Sequence, residues 1–123
     1  MRNKYKNIIV KNARNYSNNT DISFLGALLK TSIIPFDLLD RYISDRAKIL
    51  DLGCGEGMFS NSLSLLLPNA QIYGVDLDAE KIRKAQACKL RNVVFTEGDA
   101  HKFEFERADA VIFNDMLHHN AHF

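Results

Sequence analysis

Three glycines at alternate positions, Gly53, Gly55 and Gly57, follow directly on the strand-forming run Lys48–Leu52 in "KILDLGCGEGMFS". Missing side chains at that spacing permit unusual dihedrals and let a ligand approach the main chain closely, so the stretch predicts a binding turn for a flat or narrow molecule. A dinucleotide turn of the GxGxxG type would need glycine at Met58, and a phosphate loop would need a following Gly-Lys-Ser/Thr; neither is present. A second cluster with chemical capacity lies in "LHHNAH", where His118 and His122 at i, i+4 could share one helical face. Only Asp115 or His119 offers a third ligand, so no metal site is expected. Cys54 and Cys88 are too few for a disulfide framework and lack CxxC spacing, which predicts reduced thiols.

The elements that must position the glycines follow from periodicity. After Ser44, short apolar runs alternate with helical patterns: "KILDL", Met58 to Leu67, "QIYGVD", Ala79 to Lys89, "NVVF" and "DAVIFN". The order is βαβαββ. Its strands are continuously apolar and the first three are separated by helical crossovers, which predicts a parallel sheet covered on both faces, hence a doubly wound α/β domain. Ligands of such sheets sit beyond the carboxyl ends of the strands, where the glycine turn falls. Asp78 is the expected cap of the helix starting at Ala79. Upstream, Ile22, Leu25, Leu28 and Leu29 recur at helical spacing behind a capping Asp21, and a second helix is expected from Pro35 through Leu38, Leu39 and Tyr42. Three segments result: a basic, partly mobile leader at 1–20 with its most mobile part at Asn12 to Asn19, a helical cover at 21–47, and the ligand-binding domain at 48–123.

Composition bounds the rest. With 123 residues, a quarter of them charged, and a net charge of +1, the chain has the make-up of one globular domain. Charge is uneven: residues 1–48 hold nine Lys/Arg against four Asp/Glu, and residues 49–123 seven against eleven. The basic leader, with Tyr5 and Tyr16 among its cations, could track a nucleic acid or an anionic surface; a solvated segment is the plainer reading. The first residues lack a continuous apolar stretch of signal-peptide type, and no apolar run reaches membrane-spanning length, so a cytoplasmic protein is expected.

The motif "LDLGCGEG" resembles the first motif of the class I S-adenosylmethionine-dependent methyltransferases, a family with a seven-stranded Rossmann-like sheet. "YGVDLD" resembles its second strand ending in an acid, "FTEGDA" the adenine-contacting turn after the third, and "ADAVIFNDMLHH" the fourth strand and its exit. The match runs from Lys48 to His119. This resemblance implies S-adenosylmethionine as cofactor and a binding set of Asp51, Gly53, Cys54, Gly55, Gly57, Asp76, Leu77, Asp99, Ala100 and Asn114. Within it, Asp76 would accept from both ribose hydroxyls, Leu77 would lie on the adenine, and Asp99 and the backbone of Ala100 would meet the adenine edge. Asp51 and the carbonyl of Asn114 would face the ammonium. Backbone N–H groups around Gly53 and the next helix would receive the carboxylate, and the Cys54 side chain would pack beneath the loop. His118 is a candidate base toward an acceptor hydroxyl.

By the same resemblance the chain stops just after the fourth strand, with the family's last three strands missing. An excerpt or truncated form is expected, inactive alone, with an exposed fourth-strand edge on which a second copy could pair. The implied function is methyl transfer to a small-molecule acceptor; the alternative is a noncatalytic nucleotide-binding or assembly module on the same fold.

Overall fold

The computed structural model describes residues 2–99 and 108–113. The chain opens on a 17-residue helix, α1 (Asn3–Asn19), where a mobile leader was expected. Its physical basis is an amphipathic face: Tyr5, Ile8, Ile9, Asn12, Ala13 and Tyr16 recur at steps of three and one and are all buried. Asparagines read as solvated are in part interior, because Asn12 and Asn15 donate side-chain hydrogen bonds to groups on other elements. Thr20 ends the helix, its N–H and hydroxyl both donating to the Tyr16 carbonyl.

Two short helices follow, α2 (Phe24–Ser32) and α3 (Phe36–Tyr42). The cap of α2 is Ser23, whose hydroxyl oxygen accepts from the Gly26 N–H at 3.0 Å, and not Asp21. Asp21 is instead paired with Lys84 at 3.0 Å. Pro35 precedes the first turn of α3 as its cap residue, its carbonyl accepting from Leu39 N.

The remaining elements alternate: β1 (Lys48–Leu52), α4 (Met58–Leu66), β2 (Gln71–Asp76), α5 (Ala79–Ala87), β3 (Val93–Glu97) and β4 (Ala110–Ile112). Asp78 caps α5 as expected, accepting from Glu80 N and Lys81 N at 3.0 and 3.2 Å. All strand pairs are parallel, in the order β3-β2-β1-β4. Winding therefore runs outward from β1 in two directions, and the reversal point lies beside the glycine turn.

Because β1, β2 and β3 advance the same way, right-handed crossovers place α4 and α5 on one face of the sheet. There Ile49, Ile72, Val93 and Phe95 pack with Leu63 and Leu66 of α4, Ile82 and Ala85 of α5, and Tyr5, Ile8 and Ile9 of α1. On the other face Leu50, Leu52 and Val75 form a smaller cluster with Tyr73, Ala108 and Val111. Among the described residues no helix contributes to that second cluster, so the expected two-sided cover is seen on one side. No described helix is long and apolar enough to cross a membrane.

Candidate functional site

The turn from β1 into α4 is built on left-handed backbone, with φ of 75° at Gly53, 58° at Gly55 and 82° at Gly57. A side chain would be strained at each, so the alternate spacing is a conformational demand of the turn itself. Gly57 has a second reason: a Cβ there would lie 2.5 Å from Phe95 Cζ and 3.0 Å from the Ala85 Cβ. Its hydrogen atom is what lets α4 start against the β3 and α5 side of the core, which is a packing role.

The turn amides are spent inward. Gly53 N–H and Cys54 N–H both donate to the Val75 carbonyl, at 2.7 and 2.9 Å, and Gly57 N–H donates to the Cys54 carbonyl at 3.0 Å. Of the N–H groups expected to face a ligand carboxylate, around Gly53 and at the start of the next helix, those of Gly53 and Cys54 already have a main-chain acceptor. The amides suited to an anion are those of the first turn of α4, at Met58, Phe59 and Ser60, which have no carbonyl one turn back within the helix.

Asp76 ties the second strand to this turn. Its Oδ2 accepts from Gly55 N at 2.8 Å and its Oδ1 from Asp78 N at 2.8 Å. A carboxylate offers about four lone-pair positions, so each oxygen keeps a position for a hydroxyl donor. Asp51, 1% exposed, lies under the turn and accepts from the Ser60 hydroxyl at 2.6 Å. Asp51 is thus oriented by the helix that follows the turn, and Asp76 by the turn itself and by the start of the β2–α5 link.

A cleft of about 500 Å³ opens beside the glycines. Asp51, Gly53, Cys54, Gly55, Glu56, Met58 and Phe59 form one wall; Lys30, Ile33, Ile34 and Pro35, from α2 and the α2–α3 link, form another, with Lys81 at the rim. This is within the usual size of a small-molecule site. Glu56 is held by Lys30 and Lys84, each at 3.6 Å. Hydrogen bonding to Asp21, with the Asp21 and Glu56 charges adding, raises the pKa of Lys84, so it stays a cation. Behind the turn, burial pushes the Cys88 thiol up to about 11, which leaves it protonated and unreactive at neutral pH. Burial likewise holds the Tyr16 phenol above its ordinary value.

The structure brings together four residues of the sequence-derived set on the cleft wall, Asp51, Gly53, Cys54 and Gly55, and attaches Asp76 to them through the Gly55 amide. The Cys54 side chain is buried in the main cluster, beneath the turn. Leu77 follows Asp76 with 72% of its surface exposed, and Asp99 is partly exposed; neither lines the cleft. Ala100, Asn114, Asp115, His118, His119 and His122 lie outside the described residues. The resemblance points to the N-terminal helices from Ile22 to Ile43 for acceptor selection without singling out Lys30, Ile33, Ile34 or Pro35, and Glu56, Met58, Phe59 and Lys81 are not in the sequence-derived set. A pattern of apolar periodicity marks helices, and it carries no signal for a helix link folded back over a distant turn.

The site's donor set fits a nucleoside carrying a charged amino-acid end: acceptors at Asp76 for hydroxyls, a buried acid at Asp51, first-turn amides for a carboxylate, and a bare backbone between them. Comparison with known proteins bears on the family. A family model described as a methyltransferase domain matches residues 43–123. Malonyl-[acyl-carrier protein] O-methyltransferase of Legionella pneumophila is 42% identical over 76 residues, covering 58% of this chain and 26% of that protein. Trans-aconitate 2-methyltransferase of Deinococcus radiodurans is 40% identical over 53 residues, covering 43% of this chain and 20% of that protein. The match therefore spans about a quarter or less of the length of these two curated relatives. Among solved structures, coclaurine N-methyltransferase bound to N-methylheliamine and SAH superposes with a TM-score of 0.56 at 23% identity, over 68% of this chain and 27% of that one. The plantazolicin methyltransferase BpumL with SAH gives 0.53 at 23% identity, over 88% and 48%. At such identities the likeness speaks for the fold, and the family match speaks for kinship: this chain belongs to the class I S-adenosylmethionine-dependent methyltransferases.

Proposed function

We propose that this chain is the cofactor-binding part of a methyltransferase that moves a methyl group from S-adenosylmethionine to a small-molecule acceptor. The observation that carries the reading is the junction of Gly55 and Asp76, a left-handed glycine whose amide is bonded to the acid ending the second strand. That junction fixes a carboxylate beside bare backbone, where ribose hydroxyls can be bound in two-point fashion.

When bound, the cofactor supplies an already activated methyl on a sulfonium whose departure leaves a neutral thioether. The protein's share is then binding, orientation and exclusion of water. Asp76 holds the sugar, Leu77 lies against the base, and Asp99 receives the base's exocyclic amine. Asp51, locked by Ser60, sits at the amino-acid end, while the first-turn amides of α4 receive the carboxylate. Ile33, Ile34, Pro35 and Phe59 provide an apolar wall that keeps water from the reacting end and admits an acceptor small enough to share the cleft. Kinship with enzymes such as the trans-aconitate 2-methyltransferase supports an acceptor of that size.

Isothermal titration against S-adenosylmethionine, its demethylated product and NAD tests the reading. Binding of the first two and no binding of NAD is the expected result; a preference for NAD, or no binding of any, overturns it. Asp76→Ala should weaken binding by about 1.5–3 kcal/mol, ten- to a hundredfold, as for loss of a hydrogen-bonded charged group. A folded variant with parental affinity would remove Asp76 from the sugar site.

A further inference from the structure

Among the described residues, α1 reaches the glycine turn by hydrogen bond through one buried phenol. Tyr16, with no exposed surface, donates its hydroxyl proton to the main-chain carbonyl of Glu56 at 2.6 Å. Its oxygen accepts from Asn61 Nδ2 at 3.1 Å, and Asn61 is itself fixed, donating to the Cys88 carbonyl at 3.1 Å and accepting from Leu90 N at 3.3 Å. One turn earlier on α1, Asn12 donates to the Met58 carbonyl at 3.0 Å and to the Ser62 hydroxyl at 2.8 Å. The contact between α1 and the start of α4 therefore sets buried polar bonds within an apolar patch of Ala13, Tyr16, Met58 and Cys88, whereas near its N-terminus the same helix packs into the main cluster through Tyr5, Ile8 and Ile9.

The place where the phenol acts is informative. Glu56 stands between Gly55 and Gly57, both left-handed, and a peptide between two glycines has a wide choice of orientations. Its carbonyl needs a partner if the turn is to hold one geometry. Tyr16 supplies that partner from outside the turn, while Lys30 and Lys84 hold the side chain of the same residue. A phenylalanine at position 16 would fill the same space and pack equally well, so the hydroxyl is the element that packing does not require.

We propose that Tyr16 is a positioning residue for the cofactor turn. By fixing the Glu56 carbonyl it sets the peptide planes at Gly55 and Gly57, keeps the Gly55 amide on Asp76, and aims the first-turn amides of α4 at the cleft. A helix outside the family-matched residues 43–123 thereby tunes cofactor affinity without touching cofactor. This inference rests on the cofactor reading above.

The test uses the full chain with Tyr16→Phe, and with Asn15→Ala as a second variant that removes an α1 bond of 2.8 Å to the Cys88 carbonyl without reaching the turn. Amide hydrogen exchange in the ligand-free protein reads the turn directly. With Tyr16→Phe, Gly55 and Gly57 should exchange at least about fivefold faster while Leu63 and Val93 stay within about twofold, the mark of local opening. The dissociation constant for the demethylated cofactor should rise about tenfold in Tyr16→Phe and stay within about twofold of the parent in Asn15→Ala. Unchanged turn exchange, unchanged affinity, or an equal loss of affinity in Asn15→Ala each overturns the proposal. A parent that binds no cofactor would sink the cofactor reading instead, and turn exchange alone would then decide whether Tyr16 orders the loop.

Discussion

The two faces of the sheet are made from the same strands and differ in almost everything else. On the helix side, Ile49, Ile72, Val93 and Phe95 meet α1, α4 and α5, and the same side carries Asp51 and Gly74 toward the glycine turn. Buried polar groups gather there too: Asn12, Asp51, Ser60, Asn61 and Ser62 are each about 1% exposed or less. On the opposite side Leu50, Leu52 and Val75 are buried among apolar neighbours, and burial fades outward until Val94 on β3 is 47% exposed. Precision at the turn thus comes from one side. A buried polar group must be matched or it costs stability, so a face that buries many of them is held to one arrangement.

The sharpest way to break this contrast is a cavity on the helix side. Leu63 of α4 is fully buried in the main cluster, and Leu63→Ala should cost about 2–5 kcal/mol, a large part of the stability of a domain this size. Chemical denaturation checks it; a loss under about 1 kcal/mol would mean that the helix side is no better packed than the other.

That side was also the less legible in sequence. Strands β1 and β2 emerge at their observed bounds because continuous apolar runs followed by glycine or aspartate admit little else. The glycine turn was legible for the same reason, since left-handed backbone favours one residue type. α1 was not. Its stripe of Tyr5, Ile8, Ile9, Ala13 and Tyr16 has helical spacing, yet Asn12, Asn15 and Asn19 hide it from any reading by hydropathy. An asparagine looks equally polar in solvent and in the interior; only its distant partners, such as Met58 and Ser62 for the Asn12 amide N–H groups, distinguish the two, and the buried Asn12 Oδ1 has no partner among the described residues. Gly74 was opaque likewise: a Cβ there would stand 2.7 Å from Phe95 Cδ1 and 3.0 Å from Cys54 Sγ, contacts between separate strands and the turn.

A smaller effect on the helix side is acid sensitivity where α1 meets α3. The Tyr5 hydroxyl donates to Asp40 at 2.9 Å and the Lys4 ammonium at 3.2 Å, and these bonds, with the Arg2 charge nearby, hold the Asp40 carboxyl below its ordinary value of 3.8. Folding favours the ionised form. Its contribution is complete above the ordinary value and is lost as pH falls through the lowered folded one. Thermal melts from pH 6 down to pH 2 should show Asp40→Asn less stable than the parent at the upper end and converging with it at the lower. A constant gap across the range would assign the effect to shape and not to charge.

The smallest effect is expected on the other face, and there its size is the informative quantity. Val94 stands opposite Tyr73 on the β3 edge of the sheet, with nearly half its surface open. Val94→Thr keeps the β-branched shape and adds one hydroxyl, so with water on that side it should change stability by less than about 0.5 kcal/mol. The hydroxyl is harmless only while solvent can bond it. If a second body covers this face, the same substitution leaves a polar group unmatched and costs about 1–3 kcal/mol. Measuring the variant and the parent at several protein concentrations separates the cases: a melting temperature that rises with concentration, together with the larger cost, would mean that another copy supplies the cover that the described helices do not.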